Sequence, residues 1–306
     1  MMNNTILKPV SIRRSTGERF FSIFNYLFFT LFTLICILPF YYLFINTISD
    51  NDLTRRGLIT FIPRGIHLNN YVQVFKLRGL GQAAFVSVAR TILGSALTVA
   101  GSAFVGYLVT KREMWGRSFW YRFIIVTMYF NAGIVPWYMN MVLLHLTNNF
   151  LAYIIPGIVA PFNIILVKTY VESIPSSLEE SASIDGAGTL RVFVSIIWPL
   201  ITPILATIAI FSAVGNWNAF TDTLFLMTRE ELFTLQFLLY RYLNEANYLA
   251  SIMRSGTTTA VTAAQALSPR TIQMTISMVV VLPILLIYPF MQRFFVKGIM
   301  IGAVKG

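Results

Sequence analysis

Residues 179–203 read EESASIDGAGTLRVFVSIIWPLITP. The carboxylates of Glu179, Glu180 and Asp185 stand close together, followed by Gly186 and Gly188, directly before an uncharged run from Val192 to Thr221. No Ser/His/Asp set, paired carboxylate site or metal motif lies in any of the apolar runs, which disfavours an enzyme working within a membrane. The chemistry open to this stretch is charge-based docking. Ser176 with Glu179, or Ser177 with Glu180, fits an S-x-x-E capping box and predicts a helix start, a cap of either kind contributing about 0.5–2 kcal/mol. Gly186 and Gly188 predict its end, because glycine accepts the left-handed backbone of a helix terminus. A second helical segment is expected from Thr189 into the uncharged run, kinked by Pro199 and Pro203. An amphipathic helix lying on a bilayer favours Lys and Arg on its polar face. This one carries acids and no base before Arg191, so lipid repels it and a protein partner is the better expectation.

The elements around that stretch must be membrane spans. Of the 306 residues, 56% are hydrophobic and 11% charged, against about 25% charged in a soluble domain. The net charge of +11 is spread in short clusters between apolar runs, the pattern of loops facing anionic lipid rather than of a nucleic-acid surface. The single cysteine, Cys36, excludes an internal disulfide and a cysteine-based metal cluster. The first apolar stretch is too long for a signal-peptide core and reads as a retained span.

A span needs roughly 20 predominantly apolar residues. Six stretches meet the test: Phe20–Ser49, Ala84–Thr110, Phe119–Leu144, Phe150–Val167, Val192–Thr221 and Thr271–Gln292. Lys8, Arg13, Arg14 and Arg19 precede the first, Lys111, Arg112, Arg117 and Arg122 crowd the approach to the third, and Arg293, Lys297 and Lys305 follow the sixth. The positive-inside rule places these segments, both termini and the acidic stretch in the cytoplasm. The loop from Asp222 to Arg270 then lies outside, as a folded cap or mobile segment. Arg90, at the edge of the second span, is expected to snorkel to an interface. His67 and His145 fall in external loops with no ligand cluster around them.

A path for a neutral polar solute needs amides and flat apolar faces. Tyr129, Asn131, Trp137, Tyr138 and Asn140 in the third span, Asn216, Trp217 and Asn218 in the fifth, and Asp222 just beyond it supply them. An amide facing lipid would be unsatisfied, so Asn131 and Asn216 are expected to face a cavity or another helix. The aromatic residues fit an interfacial belt equally well. No G-x-x-x-x-G-K-[ST] phosphate loop is present, since Gly298-Ile-Met-Ile-Gly302 is followed by Ala303. A secondary transporter is one reading of such a chain, although the scarcity of ionisable residues in the spans disfavours proton coupling.

The segment Glu180-Ser-Ala-Ser-Ile-Asp-Gly186, with Ile196 and Pro199 at the right distance, resembles the EAA loop (E-A-A-x-x-x-G, nine residues, I-x-L-P) of the permease subunits of bacterial ATP-binding-cassette importers. Ser181 and Trp198 depart from the pattern. Asp185-Gly-Ala187 is similar to the version in sugar importers, and Asn216-Trp-Asn218 resembles a W-N motif of the same group. The tail Phe294–Gly306 is similar to carbohydrate-uptake permeases of the maltose-permease type, in particular the LplC/YtcP-like branch serving oligosaccharides and polysaccharide fragments.

The resemblance implies an all-α membrane protein of six transmembrane helices with the type I ABC importer permease fold and a cytoplasmic coupling helix. Its segments would be 1–82 (N-terminal segment, first helix and external loop), 83–292 (permease core, with the EAA loop at 176–203) and 293–306 (cytoplasmic tail). It implies contact with an ATPase through Glu179, Glu180, Ala182, Asp185, Gly186 and Ala187. It further implies a homologous second permease subunit, two ATPase subunits that bind ATP and Mg while this chain holds no cofactor, an extracytoplasmic solute-binding protein, a saccharide substrate, the lipid bilayer of the bacterial cytoplasmic (inner) membrane, and no nucleic acid. An ABC permease for a non-sugar solute is the nearest variant of this reading.

Overall fold

A computed structural model describes residues 15–254 and 269–303, and every regular element among them is helical. Helix α1, Thr16–Thr47, starts where Ser15 and Glu18 form a capping box, the Ser15 N–H donating to the Glu18 carboxylate at 3.0 Å. Only 6% of its most apolar window is buried within the chain, so most of α1 faces surroundings other than its own core. Its end is tied in: Asn70 Nδ2 donates to the Thr47 carbonyl at 2.9 Å, and Thr47 Oγ1 lies 2.8 Å from the Tyr71 hydroxyl. Short helices α2 (Asn51–Arg55) and α3 (Asn69–Phe75) follow.

Helix α4, Leu80–Leu108, is the central rod. Three glycines let neighbouring chain close on it. A Cβ at Gly94 would stand 2.9 Å from Asn216 Nδ2, one at Gly101 2.6 Å from the Ile158 carbonyl oxygen, and one at Gly106 2.7 Å from Val167 Cβ. Small residues permit this approach in membrane helices, where packing rather than hydrophobic drive holds helices together.

The third expected span is not one helix. It forms α5 (Arg117–Tyr129) and α6 (Ile134–Leu143), separated by residues 130–133. Asn131 Oδ1 accepts the Gly133 N–H at 2.9 Å, and Gly133 takes φ +86°, so the asparagine turns the backbone out of its helix. The fourth span is a bent pair, Phe150–Gly157 with α7 (Pro161–Val171), turned by 43°. Helix α8 (Ser177–Ile184) leads to α9 (Thr189–Val192), a π-helical turn over Phe193–Ile197, α10 (Trp198–Leu200) and α11 (Thr202–Asn218). Thr189–Leu200 and α11 meet at 80°, beside Pro199 and Pro203 as expected. By length and apolarity, α1, α4 and Arg270–Pro289 of α14 (Pro269–Ala303) can each cross a membrane, and the two bent pairs raise the number to five.

Two cores divide the chain into poles. At one, Tyr107 and Val171 pack with Phe193, Ile197, Ile201 and Ile208. At the other, Val74, Ala83, Met141, Tyr153, Leu226 and Ile276 pack under α12 (Thr221–Leu226) and α13 (Leu235–Arg254). The expected external loop is thus a folded helical cap through residue 254. Its segment 255–268 lies outside the described residues, as do residues 1–14, with Lys8, Arg13 and Arg14, and residues 304–306. Helix α14 continues past the expected boundary at Gln292 to Ala303.

Candidate functional site

Helix α8 begins without the predicted capping box. Ser176 adopts helical dihedrals (φ −61°, ψ −26°) and forms no side-chain cap, and Ser177 is already the first helical residue. The turn starts earlier, at Pro175, whose carbonyl accepts the Leu178 N–H while that of Ser176 accepts from Glu179 and Glu180. The far end follows the prediction. Gly186, at φ +78°, donates to the Ser183 carbonyl at 3.0 Å, and Ala187 donates to that of Ala182 at 2.9 Å, the paired bonds of a Schellman motif.

Helix α8 and the turn that closes it present two faces. Ala182 and Ala187 are half-buried against the core of Tyr107, Phe193 and Ile197. Glu180, Ser181, Ile184 and Asp185 are exposed, Ile184 to 86%. Serine at 181 therefore replaces the usual alanine on the outward face, away from the chain's own core.

Glu179 turns inward. Its carboxylate pairs with the ammonium of Lys111, just beyond the end of α4. Lys111 Nζ also lies 4.1 Å from the centre of the Tyr107 ring. Burial pushes this ammonium below the ordinary lysine value, and Glu113 opposes that shift. Nearby, Glu172 pairs with Lys168 at 2.7 Å and Arg117 at 3.7 Å, and Arg117 Nε donates to the Val109 carbonyl at 2.9 Å. The basic loop after α4, the end of α7 and acidic α8 therefore occupy one pole.

At the opposite pole Arg90 does not snorkel. The residue is 3% exposed, and its guanidinium grips both oxygens of Asp222. Nη1 also donates to the Ala219 carbonyl at 3.1 Å, at the C-cap of α11, and the Tyr153 ring lies 4.6 Å away. A buried guanidinium cannot reach water, so it is held by a carboxylate, a helix end and an aromatic face. The Tyr153 hydroxyl then donates to the Leu232 carbonyl at 2.7 Å and meets Thr223 Oγ1 at 3.0 Å. Arg90, the ionisable residue noted in the second apolar run, is thus locked to partners rather than free.

The expected path residues fall into two sets. Tyr129, Asn131, Tyr138 and Asn140 are exposed along α5, its break and α6, while Trp137 is half-buried against the cap-side core. At the end of α11, Asn216 faces Gly94 of α4 and donates to Ser212 Oγ at 3.3 Å, so it faces another helix as expected. Trp217 Nε1 donates to the Val280 carbonyl of α14 at 3.0 Å. Asn218 is exposed and Asp222 is committed to Arg90. An apolar crevice of about 70 Å³ between α4, α11 and α14 takes only Trp217 from these residues, together with Thr91, Pro283 and Tyr288. Sequence reasoning missed the pairing of Lys111 with Glu179, the place of Tyr153 beside Arg90 and the close contacts at the glycines of α4. A lone arginine in an apolar run, with an aspartate just past another, was the available signal for the buried pair.

Known proteins share this architecture. Residues 11–301 match the family described as binding-protein-dependent transport system inner membrane component. The chain is similar to the polygalacturonan/rhamnogalacturonan transport system permease protein YtcP of Bacillus subtilis, with 31% identity over 94% of this chain and 99% of that one. It is also similar to Protein LplC of the same organism, with 33% identity over 97% and 98%. Among solved structures, a chain of a bacterial ABC transporter involved in the import of the acidic polysaccharide alginate superposes with a TM-score of 0.81 and 27% identity, covering 93% of this chain and all of that one. Helical architecture, the EAA-like segment and matches along nearly the whole length agree: the chain belongs to the family of inner-membrane components of binding-protein-dependent transport systems, the permeases of ABC importers.

Proposed function

We propose that this chain forms one half of the translocation pathway of an ATP-driven importer that moves saccharides, as oligosaccharides or polysaccharide fragments, into a bacterial cell. The observation that carries the reading is α8: a short helix closed by Gly186, packed by Ala182 and Ala187 on its inner side, and presenting Glu180, Ile184 and Asp185 outward. One of two partner ATPase subunits, which bind and hydrolyse ATP with Mg, seats on this knob through Glu180, Asp185 and Gly186, while Glu179, Ala182 and Ala187 hold the knob against the permease. A homologous second permease completes the pathway, and an extracytoplasmic solute-binding protein delivers the sugar. Both termini are cytoplasmic, on the side of α8 and the basic loop 111–117.

The sugar passes the exposed amides and rings of Tyr129, Asn131, Tyr138, Asn140 and Asn218. Trp137, Asn216, Trp217 and Asp222 hold those walls in place through the contacts described above. The saccharide class is supported by the likeness to the YtcP and alginate systems. The test is the complex purified with its co-encoded solute-binding protein and assayed for saccharides that stimulate ATP hydrolysis. E180A should lower saccharide uptake at least tenfold with the permease still inserted; uptake at the parental rate overturns the reading.

A further inference from the structure

Two adjacent carboxylates on α8 point in opposite directions. Glu180 is exposed, whereas Glu179 is turned onto Lys111, which itself rests on Tyr107 of α4. We infer that Lys111 and Glu179 form the link that passes the movement of α8 into α4, with Lys111 acting as a positioning residue for transport. This deepens the proposed function and rests on its reading of α8 as the ATPase contact.

The covalent route from α8 runs through α9 and the π turn to α11, and it is bent by 80° at Ile201. A joint of that kind absorbs displacement. Helix α4 is continuous over 29 residues and contains no proline, and packed helices shift as units rather than deform. From Tyr107 it extends about 20 Å, at about 1.5 Å per residue, to Gly94, where it touches Asn216 of α11. A push on Lys111 therefore reaches the outer end of α11 through a stiff element, bypassing the bend. The pair is also well placed to carry such a push. Both side chains are mostly buried (17% and 24% exposed), so their attraction is less screened than that of a surface pair, and the aromatic face under Lys111 restricts where its ammonium can go.

The experiment compares saccharide imported per ATP hydrolysed in the reconstituted complex, with the ATPase subunits shown to copurify. K111Q should lower this ratio about fivefold, and K111R should bring it back to within about twofold of the parent. The double variant K111Q/E179Q should be no worse than either single change, because both remove one interaction. In a C36S background, which leaves no other thiol in the chain, K111C/E179C should lose the ratio and regain it when a short bismaleimide bridges the two cysteines. An unchanged ratio in K111Q, a K111R as poor as K111Q, additive losses, or a bridge that fails to restore coupling each overturn the link. E180A separates the two readings: if it leaves uptake intact the coupling role of α8 fails altogether, whereas a damaged E180A beside a normal K111Q removes only the link.

Discussion

Replacing Asp222 by alanine isolates an ion pair whose side chains are among the most buried in the ion pairs of the described residues. The side chains of Arg90 and Asp222 are 4% and 16% exposed, so removing the carboxylate leaves a guanidinium in a dry site with one carbonyl and one ring. Breaking a buried pair from one side costs about 3–5 kcal/mol, whereas a hydrogen bond between membrane helices averages about 0.6 kcal/mol. The charge term wins. D222A should therefore shift the folding equilibrium by at least about a hundredfold, read as denaturant unfolding of the purified permease in detergent. The paired variant R90M/D222L removes both charges at similar volume and should recover most of that loss, since well-packed apolar replacements of buried pairs are commonly neutral or better. A D222A protein within about 0.5 kcal/mol of the parent, or an R90M/D222L protein as damaged as D222A, would refute the account of Arg90 as a charge held only by its partners.

Two further outcomes concern single glycines. At Gly186 a Cβ meets nothing within 4 Å, so the cost of G186A is conformational: at φ +78° it should destabilise α8 by about 1–2 kcal/mol, and G186N should restore much of the uptake lost, because asparagine tolerates that backbone. At Gly106 the obstacle is steric, with Val167 Cβ 2.7 Å from the added carbon. G106A should cost about 1–3 kcal/mol in the same unfolding assay, and G106A/V167A should regain part of it.

How far the sequence reaches depends on the kind of signal. The α1 and α14 spans are legible because a long uncharged run can do little else, and α8 with its glycine stop is legible because carboxylates and glycine break a greasy pattern at fixed spacing. The split of the third span was hidden, since its hydropathy is continuous while a single local bond from Asn131 to Gly133 decides the backbone. The capping box at Ser176 failed for a related reason: Pro175 begins the turn first, and Glu179 is drawn to a lysine 68 residues away. Arg90 shows the limit most clearly. Its partners, Asp222, the Ala219 carbonyl and Tyr153, are distant in sequence and meet only once α4, α11 and the 3-10 turn of Phe150–Tyr153 pack.

The sharp turn at Ile201 also sets a mechanical ratio. The arm Thr189–Leu200 is about 18 Å long at the helical rise, so a swing of only about ten degrees at its elbow sweeps the tip through roughly 3 Å. A side-chain-sized displacement at the Thr189 end can thus be taken up by a small rotation at Ile201.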